Sequence, residues 1–245
     1  MSIIIGTNTL SSTNVNSSGV FTKAIVDEGL VLHYDAANYY SYPGSGTTWY
    51  NMVGSGSDLS LANNLTTSTI GGRTAMNFDL SGKYAYNSSV SATFGTKSAT
   101  FEVWIYPGAS ELTSGDRGTV ILINGGSAQY MSWTKDNGYL SSYWYNHSPE
   151  GYHETVGATT RGTWNHWVAA WDYNSGRIFQ YKNGVSSGNA ATQGNATPGQ
   201  SINIGRESEG RQFSGGIAIV RIYNRALSGD EVFQNFTAEK SRFGI

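Results

Sequence analysis

FSGGIAIVRIYNRALSGDEVFQNFTAEKSRFGI, residues 213–245, joins a strand, a capped helix and an aromatic-basic tail without a break. Ile217, Ile219, Arg221 and Tyr223 alternate with Ala218, Val220, Ile222 and Asn224, so both faces of the strand are mostly apolar. A strand apolar on both sides is central to its sheet, not an edge. Ser228 stands three residues before Glu231, the spacing of a capping box, and Leu227 is placed to staple onto Val232. The helix is predicted over 229–240. The end of the chain, TAEKSRFGI, falls outside the core pattern and reads as an attachment element, with Phe243 and Ile245 as its apolar contacts.

The rest of the chain agrees with a β-domain that closes on one helix. Strand candidates arrive every 8–15 residues from LVLHYD at 30–35 onward, punctuated by Gly, Asn, Asp and Ser. They include 73–78, 99–106, 119–124, 139–145, 164–173, 177–182 and 201–204. Asn183-Gly184 is the strongest hairpin signal, because both central residues of a type I′ turn need positive φ, and Asp136-Asn137-Gly138 marks a second. Trp167 and Trp171 share one strand face, while Trp164, His166, Val168 and Ala170 share the other. With 31 glycines, 13% aromatic residues and only 13% charged ones, the composition fits a sandwich far better than a helical bundle. The expected fold class is all-β: a jelly-roll sandwich of two antiparallel sheets with one short C-terminal helix, over residues 29–245.

Residues 1–28 differ. After MSIII they are rich in Ser, Thr and Asn, too polar for a core. They read either as a disordered tail or as an extended arm, with Ile3, Ile4, Ile5 and Phe21 available to contact a partner. A formal charge of −2 gives no footing for nucleic-acid binding. The absence of Cys removes disulfides and thiolate chemistry. No run approaches a membrane span, and no charged start with an apolar core opens the chain, so a soluble protein without a conventional export signal is expected.

LVLHYDAAN, TAMNFDLSGKYAY, ATFEVWIYP, TWNHWVAAWD, RIFQYKNGV, INIG and the closing strand and helix together resemble, in order and spacing, the concanavalin A-like lectin/glucanase superfamily, in its laminin-G-like or pentraxin-like jelly rolls. The polar N-terminal arm, the opening GLVLHYDAANYYSYPGSGTTWYN and the aromatic-Gly-Ile ending are similar to lectin-fold structural proteins of tailed bacteriophages. That likeness implies a non-enzymatic virion component, a capsid decoration or outer tail part on the particle exterior. Other virion proteins and further copies of the chain would be its partners, and cell-surface polysaccharide a further ligand. A free lectin module is the alternative, and a glucanase relative a third reading.

The chemistry-bearing residues favour binding over catalysis. The glucanase string of Glu, one residue, Asp, two residues, Glu does not occur. The nearest carboxylate pairs, Glu207 with Glu209 and Glu150 with Glu154, lie in loop-like stretches with nothing apolar to raise a pKa. Glu102, on the core-like FEVWIY strand, is expected to face solvent. His33, His147, His153 and His166 lack zinc spacing. Asp79 and Asp116 are the calcium candidates, since that ion takes hard oxygens from loops; an Asx turn is the competing role for Asp79. The densest run of sugar-type side chains is 139–153, and its loop end, Tyr145, Asn146, His147 and Tyr152, is the predicted carbohydrate site.

Overall fold

The computed structural model describes residues 14–15, 21–22, 24–54, 56–90, 98–108, 117–124, 128–134, 140–145, 151–154, 161–191, 201–207 and 211–245. In chain order the strands are β1 (Asn14–Val15), β2 (Phe21–Thr22), β3 (Leu30–Asp35), β4 (Thr48–Trp49), β5 (Leu59–Ala62), β6 (Thr67–Ile70), β7 (Arg73–Asp79), β8 (Tyr84–Asn87) and β9 (Ala99–Pro107). They continue as β10 (Arg117–Asn124), β11 (Ala128–Thr134), β12 (Leu140–Tyr145), β13 (Gly151–Glu154), β14 (Asn165–Asp172), β15 (Arg177–Lys182), β16 (Val185–Ala191), β17 (Ser201–Ile204) and β18 (Ser214–Tyr223), before helix α1 (Gly229–Phe243).

Two antiparallel sheets face each other. The first runs β13-β12-β11-β10-β17-β8-β5-β4 and the second β16-β15-β14-β9-β18-β7-β6. The long β18 has β9 along one edge, while β7 and β3 pair end to end along the other. Every residue of β18 is buried, as a central strand requires. Its alternation nevertheless departs from the predicted one. A register irregularity between Ile217 and Ile219 inserts one residue, so Ile217 joins Val220 and Ile222 in the inter-sheet core, and Ala218 and Ile219 pack on the helix side.

The core between the sheets holds Trp49, Phe101, Trp167, Trp171 and the isoleucines of β10 and β17. The Phe101 and Trp171 rings meet edge-on at 4.7 Å between centroids. Asn183 and Gly184, at φ 50° and 75°, turn β15 into β16 as predicted. The Asp136-Asn137-Gly138 turn lies outside the described residues, although β11 and β12 pair antiparallel on either side of it.

Helix α1 lies over the outer face of the second sheet. Ser228 accepts from the Glu231 backbone N–H, the Glu231 carboxylate returns the bond, and Leu227 and Val232 are buried in one cluster. The helix continues three residues past the predicted end, to Phe243, and Gly244 closes it at φ 74°. Phe243 is only 4% exposed and stacks on Trp104 at 4.1 Å. The prediction of Phe243 as an assembly contact is therefore corrected: its ring fills the domain's own helix-to-sheet core. Ile245, just beyond, is 43% exposed.

At the other terminus the domain begins earlier than expected. Val26 is buried; its N–H donates to Asn235 Oδ1, and its carbonyl accepts from the Tyr223 hydroxyl. The Ala24 carbonyl accepts from Gln234. Residues from Ala24 onward are thus part of the folded unit. β1 and β2 form a two-stranded sheet of their own, with Phe21 paired to Val15. Ile3, Ile4 and Ile5 lie outside the described residues.

Candidate functional site

Glu102 does not face solvent; it is fully buried beneath α1. Its Oε1 accepts from Arg221 Nη1 at 2.9 Å and His166 Nε2 at 3.1 Å, and its Oε2 from Asn235 Nδ2 at 2.6 Å. Arg221 also donates to Glu239 at 2.6 Å and to His33 Nε2 at 3.1 Å. Burial alone would raise the Glu102 pKa, but the Arg221 charge and the His166 bond outweigh it and hold the carboxyl at about 2. Burial and the same Arg221 charge push His33 down to about 3, so its ring is a neutral acceptor. A carboxylate that stays ionised under a helix cannot serve as a general acid. The cluster fastens α1 to the sheet.

Of the two calcium candidates, one is described. Asp79 accepts from the Ser81 backbone and hydroxyl, an Asx turn, and pairs with Lys83 Nζ at 2.7 Å. These contacts, Lys83 first, hold its pKa below the usual carboxylate range. Asp116 lies outside the described residues. Among the described residues, no three His, Asp or Glu side chains gather as a metal-binding group.

The first sheet offers a different surface. Ile121, Ile123, Ile202, Ile204, Ala85, Leu59 and Leu61 point into the core. The residues alternating with them occupy the outward face. Register then lines up one outward position from each of eight strands. Thr48 pairs Ser60, Ser60 pairs Tyr86, Tyr86 pairs Asn203 and Asn203 pairs Leu122. Leu122 pairs Tyr130, Tyr130 pairs Tyr143 and Tyr143 pairs Tyr152. Four tyrosines thus share one row across the sheet, and Tyr84 and Tyr145 take outward positions one step to either side. A strand spacing of about 4.8 Å puts Tyr86 and Tyr143 roughly 19 Å apart, with Leu122, only 4% exposed, between them.

At the β8 end of this face the Tyr84 and Tyr86 rings lie 5.2 Å apart, and the Arg206 guanidinium sits 3.9 Å over Tyr84. Beyond it, Asn63 donates to the Gly82 carbonyl and lines an open groove of about 610 Å³, whose other walls include Tyr42, Asn64 and Thr66.

Of the predicted carbohydrate site, Tyr145 and Tyr152 occupy register positions on this outward face, on adjacent strands; Asn146 and His147 lie outside the described residues. Trp144 pairs with Gln129 and Gly151 in the ladder. Tyr84, Tyr86, Asn203 and Arg206 were missed. Only the alternation of YAYN and SINI signals the first three, nothing local says that those strands are neighbours, and Arg206 lies beyond either string.

Residues 81–233, more than half of the chain, match the family model of the concanavalin A-like lectin/glucanases superfamily. The chain belongs to that superfamily. Solved structures share the concanavalin A-like fold at low identity. Domain 4 of an extracellular arabinanase from Geobacillus stearothermophilus, in complex with arabinotriose, is 15% identical, with TM-score 0.63 over 84% of this chain and 97% of that one. The botulinum neurotoxin serotype D binding domain is 13% identical, with TM-score 0.62 over 85% of this chain. A complex of the serotype D ligand binding domain with N-acetylneuraminic acid is 14% identical, with TM-score 0.64, again over 85%. The chain spans about half the length of these neurotoxin chains, at 51% and 50%. No curated protein sequence matches it.

Proposed function

We propose that this chain is a non-enzymatic carbohydrate-binding module whose ligand lies along the tyrosine-bearing outward face of the first sheet. The observation that carries the reading is the register that sets Tyr86, Tyr130, Tyr143 and Tyr152 in one row, with Asn203 between them. Aromatic faces suit the apolar face of a pyranose, and interleaved amides and hydroxyls suit its rim. The arabinanase domain solved with arabinotriose supports the reading, because it covers nearly the whole of that chain with the same fold. A non-catalytic role fits the described carboxylates: Glu102 is sealed, and Glu207 is paired with Arg211.

The test is a glycan array followed by titration. Tyr86→Ala, Tyr143→Ala and Tyr145→Ala should each weaken a bound saccharide about tenfold, some 1.4 kcal/mol, with the melting temperature nearly unchanged. No retention of any glycan by the wild type, or unaltered affinity in all three variants, overturns the assignment.

A second reading places this module on the exterior of a bacteriophage particle, as a homo-oligomer held by other virion proteins. One observation favours it: among the described residues, the N-terminal β1–β2 pair forms a sheet of its own and belongs to neither large sheet. The packed Phe243 removes the C-terminal half of that case. Mass spectrometry of purified particles checks it; absence of the chain from them would leave a free lectin.

A further inference from the structure

Arg206 follows β17, an interior strand of the first sheet, in an unusual position. Strict alternation after Asn203 (outward) and Ile204 (inward) would send Gly205 outward and Arg206 into the core. Instead Gly205 adopts φ 84°, where a side chain is strained, and a Cβ there would meet the Phe78 ring at 2.1 Å. The kink turns Arg206 back outward, over Tyr84. Gln212 holds this turn: its backbone bridges Arg206, and its side chain accepts from the Gly82 N–H at 2.8 Å.

The neighbouring cations are neutralised within the protein. Lys83 pairs with Asp79 at 2.7 Å, and Arg211 with Glu207 at 2.9 Å. The Arg206 guanidinium makes no hydrogen bond or ion pair to another described residue; its one contact of note is the stack on Tyr84. The contact with the ring holds the guanidinium at this face, and its fork of N–H donors has no acceptor among the described residues. Such a fork matches a carboxylate in bidentate geometry, whereas a hydroxyl uses only one arm. Glu209, the acidic residue after Glu207, lies outside the described residues.

We propose that Arg206 makes the β8 end of this face selective for sugar residues that bear a carboxylate: the guanidinium pairs with the carboxylate while the adjacent Tyr84 and Tyr86 rings receive the sugar. The proposal rests on the carbohydrate-binding reading and deepens it, from saccharides in general to acidic ones. Asn203, beside Tyr86 in the register, is placed to meet ring hydroxyls.

The probes are galacturonate oligomers against their methyl esters, and sialyllactose against lactose, titrated into the full chain. At least one acidic member should bind ten times or more tighter than its neutral partner, and the preference should shrink as salt rises. Arg206→Gln should abolish the preference, and Arg206→Lys should restore only part of it, since an ammonium keeps the charge but lacks the fork. Melting curves confirm that both variants are folded. Equal binding of acidic and neutral partners, or an Arg206→Gln variant that keeps the preference, overturns the proposal. If Tyr86→Ala abolishes binding of neutral and acidic glycans alike while Arg206→Gln changes nothing, the module reading stands and the role of Arg206 falls. If no glycan binds at all, both fall.

Discussion

At the scale of single residues, the buried charges beneath α1 decide how this protein responds to acid. In the folded chain His33 stays neutral down to about pH 3, because burial and Arg221 oppose its protonation. The unfolded chain takes up that proton near the ordinary histidine value of 6.5. Between those values the unfolded state binds more protons, so stability falls as pH falls, by up to ~1.4 kcal/mol per pH unit for one group. Glu102 acts in the same sense lower down, from its ordinary 4.5 to about 2. The melting temperature should therefore be highest near pH 7 and decline steadily toward pH 4. Replacing Glu102 with Ala leaves Arg221 and Asn235 buried without their main partner, and removing one member of a buried pair costs about 3–5 kcal/mol. Denaturant unfolding at pH 7 checks the second claim. A melting temperature unchanged between pH 7 and 4 would show that the cluster is solvated and not sealed.

At the scale of elements, α1 is the informative case. Its start was legible in the sequence because caps are local: Ser228, Glu231 and Leu227 carry the signal within five residues. Its end was not, because Asn235 and Glu239 face the sheet as polar members of the buried stripe and interrupt the apolar period. What they bind, Glu102 and Arg221, comes from strands more than a hundred residues apart, β9 and β18. Phe243 then looked like a loose tail residue, whereas it completes an aromatic stack on Trp104 that also includes Phe236 at 6.0 Å. Arg242 adds a two-point pair to Asp35, at 2.6 Å for each contact. The expected order of destabilisation follows from these contacts. Phe243→Ala should cost about 3–5 kcal/mol as a large buried ring is removed, Ser228→Ala about 1 kcal/mol for the cap, and Ile245→Ala nearly nothing. Chemical denaturation of the three variants measures it directly. A Phe243 variant as stable as wild type would return the tail to a purely external role.

At the scale of the whole molecule, the two sheets have unequal outer faces: α1 occupies one, and the tyrosine row lies on the other. The sequence made the sandwich legible because alternation and turn residues are local signals. The row was not legible, since its members at 48, 60, 86, 122, 130, 143, 152 and 203 meet only through strand order, and the jelly-roll crossovers place β17 between β8 and β10. The same layout separates the jobs of the N-terminal segment. Residues 24–28 run onto α1, where Val26 is buried and satisfies Asn235, whereas β1 and β2 belong to neither large sheet. Removing residues 1–23 should leave the melting temperature and glycan affinity close to those of the full chain. Removing residues 1–28 uncovers the Val26 site, leaves Asn235 Oδ1 without its donor and leaves the Tyr223 O–H without its acceptor. Losing a buried valine costs about 1.5–3 kcal/mol, and at roughly 2–4 °C per kcal/mol for a chain of this size the melting temperature should drop by about 3–12 °C. Light scattering on the same two truncations reports what the segment does for assembly. A fall in mass on removing residues 1–23, with stability and binding intact, is the outcome expected of an attachment arm; an unchanged mass would leave any assembly to the sandwich itself.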